Sequence, residues 1–130
     1  MPRMPSPLRN LIDAINRGDV AAAEPWMAAD IVFVDSKGHR LVGRENCVFL
    51  LRELVASGVS YRTVVEDVAR NGADYLLRGC TESDFADLNQ RVLWRARLEG
   101  NQVCLWEAHT DGTGGTVMEA LAADRIDRAA

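Results

Sequence analysis

From Val59 to Thr110 the chain carries four strand-like stretches in series, joined by turns too short to hold a helix. Residues 59–70 (VSYRTVVEDVAR) and 73–83 (ADYLLRGCTES) flank Asn71-Gly72, the strongest two-residue hairpin signal in the sequence. Residues 90–99 (QRVLWRARLE) and 102–110 (QVCLWEAHT) flank Gly100-Asn101. A polar loop around Phe85, from Asp84 to Asn89, joins the two pairs. Strands joined this tightly run antiparallel. This half of the chain is a meander, and one of its faces needs a cover.

The first half supplies that cover. Leu8, Leu11, Ile12 and Ile15 recur at helical spacing over residues 7–17, with Ser6 placed to cap, Pro7 at the first helical position and Gly18 at the end. Asp19 reads as the cap of a second helix running to Trp26 and Met27, which Pro25 kinks or splits. Residues 30–35 (DIVFVD) are β-branched and aromatic and predict a strand; residues 36–39 turn, and 40–42 are extended. Gly43 and Gly58 bracket a third helix at 44–57, with Val48, Leu51, Leu54 and Val55 on its apolar face. Residues 1–6 predict an extended arm, and 112–130 a tail with a short helix at 116–124. Helices grouped ahead of a meander mean α+β. Three helices packed on a curved, mainly antiparallel sheet make a cone with an internal cavity. With no repeat and no long linker, all 130 residues predict one domain.

Charge and cysteine usage narrow the function. A formal charge of −4 argues against nucleic acid as a partner, because that affinity rests on a basic surface. No apolar run approaches a membrane span, and residues 1–7 lack a secretory h-region. Cys47, Cys80 and Cys104 are widely spaced, and His39 and His109 are the only histidines, so no zinc ligand set forms. The cysteines read as small apolar fillers in a reducing compartment, and the expected location is the cytoplasm. No cofactor fingerprint is present.

The element order and several local motifs resemble the SnoaL-like branch of the nuclear-transport-factor-2-like superfamily, a cystatin-like α+β cone. Ala14-Ile15-Asn16-Arg17-Gly18-Asp19 is similar to its junction of helices one and two, and Ala28-Ala29-Asp30-Ile31-Val32-Phe33-Val34-Asp35 to its lead-in to the first strand. Gly38 followed by Leu41-Val42-Gly43-Arg44-Glu45 is similar to the approach to helix three, and Met118-Glu119-Ala120-Leu121-Ala122-Ala123 to the closing helix. The resemblance spans nearly the whole chain and implies the fold. It does not imply one activity, since the superfamily holds isomerases, polyketide cyclases, epoxide hydrolases, dehydratases and non-catalytic binding domains.

Asp35 is the leading candidate base. It shares a strand face with Ile31 and Phe33, which point into the cone. In ketosteroid-isomerase-like members an aspartate at the matching place moves a proton beside a carbonyl, and His39 is placed to pair with Asp35 as a shuttle. The alternative is that Asp35 caps its own turn and His39 is solvated. The isomerases' oxyanion donors fall at Leu11, which has no donor, and near Trp94, whose indole N–H donates once. Losing one such donor typically costs about 2.7–4 kcal/mol, so efficient ketosteroid isomerisation is not expected. An Asp-Arg-Asp set like that of limonene epoxide hydrolases would need Arg78 or Arg95 inside the cone, without an evident second aspartate.

A three-residue turn at 99–101 puts Trp94 opposite Trp106, Ala96 opposite Cys104 and Val92 opposite Ala108. That separates an apolar face from one bearing Arg91, Arg95, Arg97, Glu107 and His109. The two indoles then line a slot for a flat ligand or fill the core, and Trp26 closes the wide end or packs on a helix. Leu93, Val103 and Leu105 fall on the outer face, where related proteins pair, so a homodimer through that face is expected. The expected cavity is lined by Ile31, Phe33, Val92, Trp94, Ala96, Trp106 and Ala108 and takes a small apolar or aromatic molecule. The rival reading is a non-catalytic homodimeric module with a filled cone.

Overall fold

The structure, a computed structural model, describes residues 3–127; Met1 and Pro2 of the expected arm and 128–130 of the tail lie outside them. Helix α1 (Ser6–Asn16) buries Leu8, Leu11, Ile12 and Ala14. Its N-cap is the extended Pro5 rather than Ser6, whose hydroxyl accepts from Arg9 instead. Asp19 does cap the second helix, accepting the Ala22 N–H at 3.0 Å. Pro25 splits that helix: α2 (Val20–Ala23) gives way to a 3₁₀ turn (Glu24–Trp26). Strand β1 (Met27–Val34) starts three residues earlier than expected because Met27, fully buried, pairs with Val103. After β2 (Arg40–Val42), α3 (Arg44–Ser57) buries Cys47, Val48, Leu50, Leu51 and Leu54 as one stripe.

The meander follows as β3 (Tyr61–Asn71), β4 (Asp74–Ser83), β5 (Gln90–Glu99) and β6 (Gln102–His109). The sheet order is β2-β1-β6-β5-β4-β3, antiparallel except for the parallel pair β1–β6. Helix α4 (Val117–Leu121) follows, N-capped by Thr116, and a 3₁₀ turn (Ala123–Arg125) comes after it. The Thr116 hydroxyl accepts from the Glu119 N–H and lies 3.2 Å from the Glu119 carboxylate.

One register expectation is corrected. Glu99 pairs with Gln102, so the β5–β6 loop holds two residues, with Gly100 supplying the positive φ of 62°. Leu98 then pairs with Val103 but Arg97 with Leu105, which leaves Cys104 as the extra residue of a bulge. Trp94 therefore faces Ala108, and Ala96 faces Trp106. The bulge restores the parity that a plain two-residue loop would break, so both indoles stay on the inner face. It also turns Val103 inward, fully buried, rather than onto the outer face.

The outer face is laced with charge. Asp74 takes Arg97 at 2.7 Å and Arg95 at 3.5 Å; Arg95 also reaches Glu107 at 3.1 Å, and Glu107 meets His109 at 2.8 Å. Hydrogen bonding to Arg97 holds the Asp74 carboxyl below the usual range. Burial pushes Glu107 up, but His109 and Arg95 together outweigh it. Arg78 pairs with Asp67 at 2.6 Å on the same face, so neither Arg78 nor Arg95 enters the cone. Among these groups Leu93 is left 44 % exposed.

Candidate functional site

The concave face of the sheet, α1, α3 and the 110–118 segment enclose a cavity of about 120 Å³. Its wall is mostly apolar: Leu11 and Ile12 from α1, Leu50 and Leu54 from α3, Phe33 from β1 and Val92 from β5. Trp94, Trp106 and Ala108 line it as expected. The two indoles stack with centroids 5.6 Å apart and planes 28° apart. Three expected wall residues do not reach it. Ile31 and Ala96 are fully enclosed in the packed core, and Trp26 packs against that core from its 3₁₀ turn. Strand parity gives the face but not the depth, and these positions lie where helices sit directly on the sheet.

Asp35 lines the cavity, and among the described residues doing so it is the one with a charge. Its side chain is 9 % exposed. Oδ1 accepts the backbone N–H of Lys37 at 3.0 Å and of His39 at 2.9 Å. Oδ2 lies 3.0 Å from His39 Nδ1. Asp35 therefore caps its own turn, as one reading of the sequence expects, and its carboxylate also pairs with His39. His39 stands outside the cavity wall with its side chain 33 % exposed. A carboxylate offers about four lone-pair directions. Three contacts leave one direction on Oδ2 without a protein partner among the described residues.

Sequence reasoning missed the polar end of the cavity. Thr63, Thr81 and Gln90 form one rung across β3, β4 and β5 and line the cavity together. Gln90 shares a face with Val92 and Trp94 by the period of two, so that parity was the available signal. The Thr81 hydroxyl donates to the Leu88 carbonyl. Gln90 Nε2 donates to the Gly115 carbonyl at 3.4 Å. Gln90 Oε1 and the hydroxyl of Ser36, also on the wall, are buried without a hydrogen-bond partner among the described residues. Tyr61, next to this rung, has its phenol pushed up to about 12 by burial. The described residues hold no group of three or more metal-ligating side chains.

The sequence profile of the SnoaL-like domain matches residues 8–128. No curated protein matches the chain. Several solved structures share the fold. A LEH-like epoxide hydrolase of M. tuberculosis is 18 % identical with a TM-score of 0.69, over 81 % of this chain and 76 % of that one. A bacterial protein with a cystatin-like fold from Silicibacter pomeroyi is 19 % identical with a TM-score of 0.67, over 93 % and 86 %. The Orange Carotenoid Protein of Anabaena (Nostoc), bound to canthaxanthin, is 13 % identical with a TM-score of 0.69, over 83 % of this chain and 37 % of that one. No described helix is long and apolar enough to cross a membrane.

Proposed function

The chain belongs to the SnoaL-like domain family, and from that premise we propose that it binds a small apolar or aromatic molecule inside the cone. The observation that carries this is the open, apolar cavity of about 120 Å³ walled by two stacked indoles. The rival reading, a non-catalytic module with a filled cone, expects the two indoles to lie together and Asp35 to bond its own turn, as they do; the space left beside the indoles supports a ligand instead. An engineered apolar cavity of about 150 Å³ takes up benzene, so this one suits a single ring and not a polycycle. The carotenoid bound by the Anabaena relative and the epoxide hydrolase activity of the M. tuberculosis one are uses of similar cones, which supports a ligand here without naming it.

The test is thermal stability with and without toluene. Binding to the folded state alone raises stability by RT ln(1 + [L]/Kd), about 1.4 kcal/mol at tenfold Kd. Wild type is expected to gain Tm, and Ala108→Phe, which fills the wall beside Trp94, to gain none. Equal gains in both proteins would place the toluene outside the cone and refute the reading.

A second reading, proton transfer as in isomerases, cyclases or dehydratases, is favoured by one observation. Asp35 faces the cavity with a lone-pair direction free and has His39 behind it. Asp35 would then be the base, His39 would carry the proton to solvent, and the Trp94 N–H would be the polar tip at the developing charge. We also expect a homodimer through the outer sheet face around Leu93 and Leu105, and a cytoplasmic location for its three free thiols.

A further inference from the structure

Residues 111–115 (DGTGG) form a partition one chain thick. On one side Gly115 lines the cone cavity. On the other, Asp111, Thr113 and Gly114 line a surface cleft of about 330 Å³ together with Asp87, Asn89 and Arg91. Gln90 lines both spaces. With the partition lifted, the cavity opens into the cleft.

Both ends of the partition are fixed. Strand β6 pairs up to His109, and Thr116 caps α4, whose Met118 is buried and whose Glu119 meets Lys37 at 3.1 Å. The middle is lightly held. Among the described residues, one hydrogen bond ties it to another element: Gln90 Nε2 donates to the Gly115 carbonyl at 3.4 Å, long for N–H···O. Its other hydrogen bonds are local. Asp111 Oδ1 accepts from the Thr113 N–H at 3.0 Å and its hydroxyl at 2.7 Å, and the Thr110 hydroxyl accepts from the Gly112 N–H at 3.0 Å. The segment has no apolar side chain to bury, and Gly112, Gly114 and Gly115 give its backbone freedom to turn. Such segments lie at the low end of local stability.

The seated position also carries a penalty. Gln90 Oε1 is sealed beneath Gly114 without a hydrogen-bond partner. Lifting the segment lets water reach that oxygen, which offsets part of the loss of the Gly115 bond. The seat admits glycine alone: a Cβ on Gly114 would lie 2.3 Å from Gln90 Oε1 and 2.7 Å from the Asp87 carbonyl oxygen.

Resting on the binding reading above, we infer that segment 111–115 is the gate of the cone. It swings off Gln90 into the cleft to admit and release the ligand, and the Gln90–Gly115 hydrogen bond is its latch.

The experiment staples the gate. A Cβ on Gly115 would lie 3.8 Å from the Asp87 Cβ, the mean separation across a disulfide, and Gly115 has no positive φ to exclude cysteine. Toluene exchange is measured by NMR in wild type, in Asp87→Cys/Gly115→Cys oxidised and reduced, and in Gly114→Ala. Oxidation is expected to slow both entry and release about tenfold or more, and reduction to restore them. Gly114→Ala, which wedges the gate off its seat, is expected to speed both. Unchanged rates in the oxidised staple overturn the gate and leave the binding reading intact, because toluene still binds. If the staple does not form, Gly114→Ala decides: faster exchange supports the gate and unchanged exchange overturns it. If toluene does not bind wild type, the binding reading fails, and acrylamide quenching of Trp94 and Trp106 tests the gate without a ligand. Weaker quenching in the oxidised staple than in the reduced one supports it, and equal quenching overturns it.

Discussion

Gly79 sits on the inner face of β4, between Val65 on β3 and Val92 on β5, beside the bulge that makes Glu66 the extra residue of β3. A Cβ on Gly79 would lie 1.8 Å from the Val64 carbonyl oxygen, 2.9 Å from its carbon and 3.1 Å from the Val65 Cα. All three neighbours are backbone, so no side-chain rotation relieves the overlap. The oxygen would have to retreat roughly 1.6 Å to reach ordinary contact, which pulls β3 off its bulge. Overpacking in cores costs about 1–3 kcal/mol, and disturbing the adjacent ladder adds about 1 kcal/mol per hydrogen bond. Gly79→Ala is therefore expected to cost about 3–4 kcal/mol, a large part of the ~5–15 kcal/mol typical of a domain. Gly72→Ala is the control. Gly72 has φ 63° but open space around it, so alanine there carries only the left-handed penalty of about 1–2 kcal/mol. Urea unfolding followed by circular dichroism measures both. A Gly79→Ala cost no larger than that of Gly72→Ala would refute the close approach of β3 and β4 at the bulge.

Asp35→Asn removes the charge that accepts two backbone N–H groups and His39, and is expected to lose about 1–2 kcal/mol in urea unfolding while leaving toluene binding unchanged. Any turnover found should vanish in the same variant; unchanged turnover removes Asp35 as base. Alkaline stability follows from Tyr61 and Cys47, both pushed up to about 12 by burial. Both are neutral when folded, so their contribution is complete below the unfolded values near 9 and 10 and is lost as pH rises toward 12. Each should lower unfolding free energy by roughly 1.4 kcal/mol per pH unit within its window, and Tyr61→Phe should flatten the slope above pH 10; an unchanged slope would show that Tyr61 is not desolvated. Leu105→Arg should convert a dimer to monomer in light scattering, and a persisting dimer would move the interface off the outer sheet face.

Local elements were legible because their boundaries rest on local chemistry. Gly43 and Gly58 bracket α3 at the predicted residues, Asp19 caps α2, and Pro25 ends it. What depends on tertiary contact was not legible. The start of β1 is set by Met27 meeting Val103 some seventy residues away, and the β5–β6 register by a bulge at Cys104 that no residue preference marks. Strand parity placed Phe33, Val92, Trp94, Trp106 and Ala108 on the inner face correctly, but it could not separate the open cavity from the closed core that holds Ile31 and Ala96. Gln90 was within reach of the same parity argument. Its unfilled acceptor was not, because that depends on where the Gly115 carbonyl sits.

The parallel pairing of β1 with β6 sets the order in which the chain can assemble. Val32, Phe33 and Val34 find their partners only at Leu105, Trp106 and Glu107, near the far end of the chain. At about 5–20 residues per second of synthesis, β1 waits roughly 4–15 s for its neighbour to be made. The hairpins of β3–β6 close early through local turns, while the cavity wall that joins Phe33 to Trp106 closes last. During that interval Ile-Val-Phe-Val is an unpaired apolar strand, the kind of segment that pairs with other copies. Asp30 and Asp35 flank it on either side. Whatever Asp35 does for a ligand, a charge at that end of the strand is the kind of flanking residue that discourages such pairing.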